Sequence, residues 1–269
     1  MFNVISLDNV SLAMNNKMLF SNLNLEVASG SFVSIIGKSN SGKSSFVKLL
    51  AGLLQYRGYI NINGYSLDDE NISSIRKGVS VVFSDDCREF SNFLVYDILS
   101  LELVHMGLDR KTIDKKVSDV SSKFLLDDIL YTQMGEISES RQVLVMVLSS
   151  VLSGCNILIM DDCLDKIIDK DKNKLMKYLK KLKKTDDLTV LMTTHEMENV
   201  LYCDKVIVLD EGKKVYDDSV RHLFEDRQVL KKFDIEVPFV VNLSYRLVKE
   251  GRISNICLDE RKLVDELWK

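Results

Sequence analysis

Residues 37–44 read Gly37-Lys38-Ser39-Asn40-Ser41-Gly42-Lys43-Ser44 and fit G-x-x-x-x-G-K-[ST] at every fixed position. Before them stands Phe32-Val33-Ser34-Ile35-Ile36, a short apolar run rich in β-branched residues, as a buried parallel strand requires. A helix is expected from about Ser44 to Leu54. Strand, glycine loop and helix in that order constrain the chain more than any other feature it has. Glycines let the backbone curl so that successive N–H groups point at one anion. The helix N-terminus adds a partial positive charge. The stretch is therefore a phosphate-binding loop, with Gly37, Ser39, Asn40, Ser41, Gly42, Lys43, Ser44 and Ser45 as candidate ATP contacts. Lys43 is the candidate for the β and γ phosphates, and the Ser44 hydroxyl for Mg2+.

Such a loop needs a distant carboxylate to complete the magnesium shell. The strand Asn156-Ile157-Leu158-Ile159-Met160 ends in Asp161-Asp162, at the carboxyl end where open α/β sheets place their ligands. Asp161 is the magnesium-side candidate, and Asp162 is expected beside the attacking water.

The rest of the chain fits one α/β unit with an appendage. Its 269 residues are 46% hydrophobic, which suffices for a sizeable core. Val4–Leu7, Leu23–Val27, Gly58–Gly64, Val79–Phe83, Leu188–Met192 and Lys205–Leu209 read as further strands. Residues 85–150 change to helical periodicity, with Ile98, Leu101, Val104 and Leu108 on one face. Lys170–Lys184 reads as a basic helix. The nine lysines from Lys166 to Lys184 are diluted by neighbouring aspartates and read as a solvated face. The formal charge of −4 gives no basic footprint for nucleic acid. Neither a leader peptide nor a membrane-spanning run is visible, and the five cysteines show no C-x-x-C pair.

Together these motifs resemble an ATP-binding-cassette ATPase over the whole length. Thr193-Thr194-His195-Glu196, after the strand Leu188–Met192, is similar to the segment carrying the family's switch histidine, which makes His195 a catalytic candidate beside Asp162. The tail from Leu230 through Pro238 to Gly251 resembles that of energy-coupling-factor ATPases. The resemblance implies a P-loop cassette fold over residues 1–221, with a helical subdomain at about 85–150, and a C-terminal dimerisation extension over 222–269. It also implies a peripheral ATPase at the cytoplasmic face of the cell membrane. The implied partners are a second cassette ATPase, a polytopic coupling protein and a substrate-binding membrane subunit, with vitamins or transition-metal ions as cargo.

Several family positions are altered. The signature Leu-Ser-Gly-Gly-Gln aligns with Ile137-Ser138-Glu139-Ser140-Arg141, which keeps only the serine. In the family this segment caps the γ-phosphate bound by the partner, so Glu139 brings a carboxylate toward an anion. Two like charges about 4 Å apart repel by on the order of 4 kcal/mol at an effective dielectric of 20. Arg141 is expected to offset this by pairing with either group. The catalytic glutamate is replaced by Asp162, one methylene shorter, and the family's Asp-bearing loop by Leu164–Asp169. Ser84 stands where a glutamine senses magnesium, and Met14 where an aromatic ring stacks on adenine. These changes imply retained nucleotide binding, slow hydrolysis by this chain alone, and a better-preserved ATPase as heterodimer partner. The alternative is a nucleotide-binding regulatory or structural subunit with little or no hydrolysis.

Overall fold

The computed structural model describes residues 2–14 and 17–268; Met1, Asn15, Asn16 and Lys269, which fall within the two expected domain ranges, lie outside the described residues. The chain opens with a long antiparallel hairpin, β1 (Asn3–Met14) and β2 (Lys17–Ala28). Then come β3 (Phe32–Ile36), α1 (Lys43–Leu50), β4 (Arg57–Ile62), β5 (Tyr65–Ser66), α2 (Ile72–Arg76) and β6 (Val79–Phe83). A helical block follows with α3 (Val95–His105), α4 (Arg110–Phe124) and α5 (Glu139–Leu152). The chain returns to α/β order with β7 (Ile157–Asp161), α6 (Cys163–Lys166), α7 (Asp169–Asp186), β8 (Thr189–Thr193), α8 (Met197–Val200), β9 (Lys205–Asp210) and β10 (Lys213–Ser219). It closes with α9 (Val220–Glu225), α10 (Arg227–Lys232), α11 (Phe239–Lys249) and α12 (Glu260–Leu267).

Two sheets result. One runs β2-β1-β4-β5, and its pairs are antiparallel. The other runs β10-β9-β3-β8-β7-β6, parallel from β9 to β6, with β10 antiparallel at the edge. All five residues of β3, of β7 and of β8 are buried, because both faces of the parallel sheet are covered. Alternation within β7 shows how. Ile157 and Ile159 face a core shared with α1 and the hairpin, while Leu158 and Met160 face α3, α4, α5 and α7. A third cluster sets Val206 and Val208 of β9 against Phe224, Leu230, Val241 and Leu263 of the C-terminal helices. The division expected at residues 221/222 falls inside α9.

Helix α1 and the hairpin differ most from the sequence reading. Helix α1 ends at Leu50 rather than Leu54, because the Leu53 N–H turns back to Lys48 O at 3.0 Å across Gly52 in the left-handed region. The hairpin strands are 12 residues each, far longer than Val4–Leu7 and Leu23–Val27 suggest. Asn9 and Asn22 adopt positive φ, and register shifts flank Val10, so the alternation is broken where the strands continue.

Candidate functional site

The parallel strands deliver their carboxyl ends to one edge, and the chemistry of the sequence gathers there. Past Ile36 the backbone passes through Gly37 (φ 157), Asn40 (φ 64) and Gly42 (φ 104) before α1 begins at Lys43. Gly37 is needed for space: a Cβ there would lie 2.2 Å from Leu209 O and 2.6 Å from Ser41 Oγ. Phe20 of β2 packs under Gly42, so the hairpin braces the loop from below. Lys43 is almost wholly buried, and its ammonium donates to Gly37 O at 2.8 Å and Lys38 O at 3.2 Å. Burial lowers the Lys43 pKa, against the opposing pull of Asp162, Asp161 and Asp165. Ser39, Asn40 and Ser44 are exposed, and Ser45 is half-buried.

The second half of the site stands at the ends of β7 and β8. Asp161 is buried, and its Oδ1 accepts from Thr193 Oγ1 at 2.7 Å. Asp162, in the left-handed region at φ 51, donates its N–H to Thr193 Oγ1 at 2.9 Å. The same hydroxyl lies 3.0 Å from Asp162 Oδ1, so its single proton is contested by two carboxylates. Burial raises the Asp162 pKa, with Asp161 adding to the rise and Thr193 and His195 opposing it. The imidazole of His195, about half exposed, places Nε2 3.6 Å from Asp162 Oδ2. Buried Ser84 hangs from this strand through its N–H, which reaches Asp161 O at 3.2 Å.

The signature-like segment sits at the start of α5. Ser138 occupies the N-cap position without a side-chain cap bond, and Glu139 opens the helix. Arg141 does not pair with Glu139 as expected; its Nη1 donates to Leu125 O at 2.9 Å. The partner of Glu139 is Lys166, at 3.0 Å, which also reaches Asp85 at 2.6 Å. Lys166 is the last residue of α6, and Leu125, which accepts from Arg141, is the C-cap of α4. Ser140 Oγ accepts from the Ile168 N–H at 3.0 Å. Met14, the candidate for packing on adenine, is 40% exposed at the end of β1 and paired across the hairpin with Lys17.

Sequence reasoning missed several parts. Asp165 turns inward to Thr194, His195 N–H and Asn199. The lysine run and the loop Leu164–Asp169 both include Lys166, and neither reading gives its pairing with Glu139 and Asp85. The C-terminal segment also contributes: Phe233–Glu236 forms one wall of a cleft of about 200 Å3 whose other walls include Gly37, Lys38, His195 and Asp210. Only the three-dimensional return of the chain announces these contacts.

The residues present fit a polyphosphate. Ser41 Oγ is buried without a hydrogen-bond partner, inside a loop whose close turns would not admit a Cβ at Gly37. The carboxylate of Asp161 and the hydroxyl of Ser44 are the donor types a magnesium ion takes alongside phosphate oxygens.

A family model described as ABC transporter matches residues 20–165, more than half of the chain. The chain belongs to the ABC transporter family. The match runs from the second hairpin strand through the phosphate loop and helical block to Asp165. Beyond it, the energy-coupling factor transporter ATP-binding protein EcfA1 of Mycoplasmoides gallisepticum is 28% identical over 266 residues, 98% of this chain and 95% of that protein. EcfA of Pediococcus pentosaceus is 28% identical over 255 residues, covering 93% and 91%. Among solved structures, cbiO1 from Clostridium perfringens, described as part of the ABC transporter complex cbiONQ, superposes with a TM-score of 0.74. That match has 20% identity and covers 90% of this chain and 99% of that one. A nucleotide-free ATP-binding cassette from an ABC transporter gives 0.74 at 16% identity, covering 88% and 100%. The mixed α/β cassette architecture is thus the family's own, and membership carries ATP binding as the family's common property. Among the described residues no helix is long and apolar enough to cross a membrane.

Proposed function

We propose that this chain is the ATP-binding, ATP-hydrolysing subunit that energises an energy-coupling-factor importer of vitamins or transition-metal ions, as the more degenerate half of an ATPase heterodimer. The observation that carries the reading is the meeting of Gly37–Ser44, Asp161, Asp162 and His195 at one edge of the sheet. It occurs in a chain matched nearly end to end by energy-coupling-factor ATP-binding proteins.

In this reading the loop N–H groups and Lys43 hold the nucleotide phosphates, and Ser44 and Asp161 hold Mg2+, which neutralises phosphate charge when bound. Asp162 orients water and accepts its proton, with His195 stabilising the charge beside it. Phe93, Leu101, Val104 and Tyr131 leave apolar surface exposed on the helical block, which suits docking of the polytopic coupling protein, with a separate membrane subunit choosing the cargo. Phe239, Val264 and Trp268 do the same on the C-terminal helices, which suits pairing with the second ATPase. A heterodimer follows because two copies of this chain would place Glu139 in both composite sites. The chain then lies peripherally at the cytoplasmic face of the membrane.

The competing reading, a nucleotide-binding regulatory subunit, draws on Asp162 itself, whose short side chain is further engaged by Thr193. Lys43→Ala in the purified complex separates the two. Transport and ATP turnover fail together if this chain's hydrolysis drives import. If only assembly suffers while transport per assembled complex holds, the regulatory reading stands.

A further inference from the structure

The segment from Cys163 to Ile168 joins the strand carrying Asp161 to helix α7, and its two charged residues face opposite ways. Lys166 reaches out to Glu139 and Asp85. Asp165 reaches in. Its Oδ1 accepts from Thr194 Oγ1 at 2.5 Å and from Asn199 Nδ2 at 2.7 Å, and its Oδ2 accepts from the His195 N–H at 2.8 Å. All three donors belong to the stretch that follows β8, and Thr194 and Asn199 are fully buried. Asn199 Nδ2 also lies 3.1 Å from Thr194 Oγ1 and 3.3 Å from Glu196 Oε2, so the loop is closed on itself around the carboxylate. Hydrogen bonds to an ionised carboxylate are roughly twice as strong as neutral ones.

The consequence is mechanical. The imidazole of His195 is about half exposed, so packing around the ring does little to fix it. Its backbone, in contrast, is tied to a residue three positions after Asp162. We propose that Asp165 is a positioning residue: it fixes the loop carrying His195 to the segment carrying Asp162, and so sets the imidazole against the Asp162 carboxylate. The proposal rests on the reading of Asp162 and His195 as the hydrolytic pair. Asp165 touches neither nucleotide nor water in this role; it acts through His195.

The test uses the full chain in its purified complex, with Asp165→Ala, Asp165→Asn and each combined with His195→Ala. Asp165→Ala is expected to lower kcat for ATP about tenfold or more while KM stays within about twofold. In the His195→Ala background it is expected to cost nothing further, since the residue it positions is gone. Asp165→Asn keeps the shape and supplies an intermediate effect where the alanine variant folds poorly. Hydrogen exchange at the His195 amide gives a readout that needs no turnover: protection falls in both variants. Losses that multiply in the double variant, or an amide whose protection is unchanged, overturn the proposal. A wild-type complex in which this chain turns over no ATP removes the hydrolytic reading instead, and the exchange result then decides the positioning claim alone.

Discussion

The Lys166 ammonium lies 3.0 Å from the Glu139 carboxylate, across 27 residues of sequence and between the end of α6 and the start of α5. The acid that replaces a glycine in the signature is therefore already matched by a cation of its own chain. If the proposed dimer sets Glu139 against the partner's phosphate, Lys166→Met is expected to remove its countercharge and to slow the composite site. Glu139→Gly is expected to speed it. Single-site turnover, with the other site disabled, checks both directions.

The same lysine makes a pH prediction. Its hydrogen bond and charge hold the Asp85 carboxyl below its ordinary value. A carboxylate whose pKa is depressed on folding stabilises the fold above its unfolded pKa, about 3.9. That contribution is lost as pH falls through the lower folded value. The Tm difference between wild type and Lys166→Met should thus shrink as pH drops below about 4, and shrink with added salt because Asp85 is exposed. Thermal melts at several pH values and ionic strengths check this.

Asp162 has His195 at 3.6 Å and Asp161 beside it, so under the proposed function the feature left to test is its shorter reach. Asp162→Glu should raise ATP turnover by about tenfold or more. An unchanged rate would place the limiting defect at Ser84 or Glu139, and steady-state kinetics on the complex distinguishes these.

Lys43 is buried and its ammonium donates to two loop carbonyls, a position from which its charge can be given to phosphate. Lys43→Ala removes a charge-assisted contact of about 1.5–3 kcal/mol, so ATP affinity should fall about 10- to 100-fold. Gly37→Ala acts differently. Its Cβ would meet Leu209 O at 2.2 Å, and stability should fall by about 1–3 kcal/mol before binding is considered. Calorimetric titration and denaturant unfolding separate the two variants.

What was legible in the sequence follows from what is local. β3 and β7 are fully buried runs and the loop between β3 and α1 is a contiguous motif, so strand, cradle and Asp161-Asp162 could be read directly. The hairpin was half read, because asparagines in the left-handed region break its alternation. Lys166 and Asp165 were illegible for another reason. Their partners Glu139, Thr194 and Asn199 lie 27 to 34 residues away, and no spacing rule links a lysine before one helix to a glutamate at the start of another. Arg141 looked like the partner of Glu139 only because it is close in sequence; the helix start points it to Leu125 instead. The wall formed by Phe233–Glu236 is likewise visible only once the C-terminal helices fold back on β9.

The most direct test is a tagged purification of this chain from native membranes, with the co-eluting proteins identified and their copy ratios measured. A second cassette ATPase in equal amount, together with a polytopic membrane protein, is the expected outcome and leads to the cargo through the remaining membrane subunit. Recovery of this chain alone, or with soluble partners only, would refute the importer and leave a nucleotide-binding cassette serving some other machine.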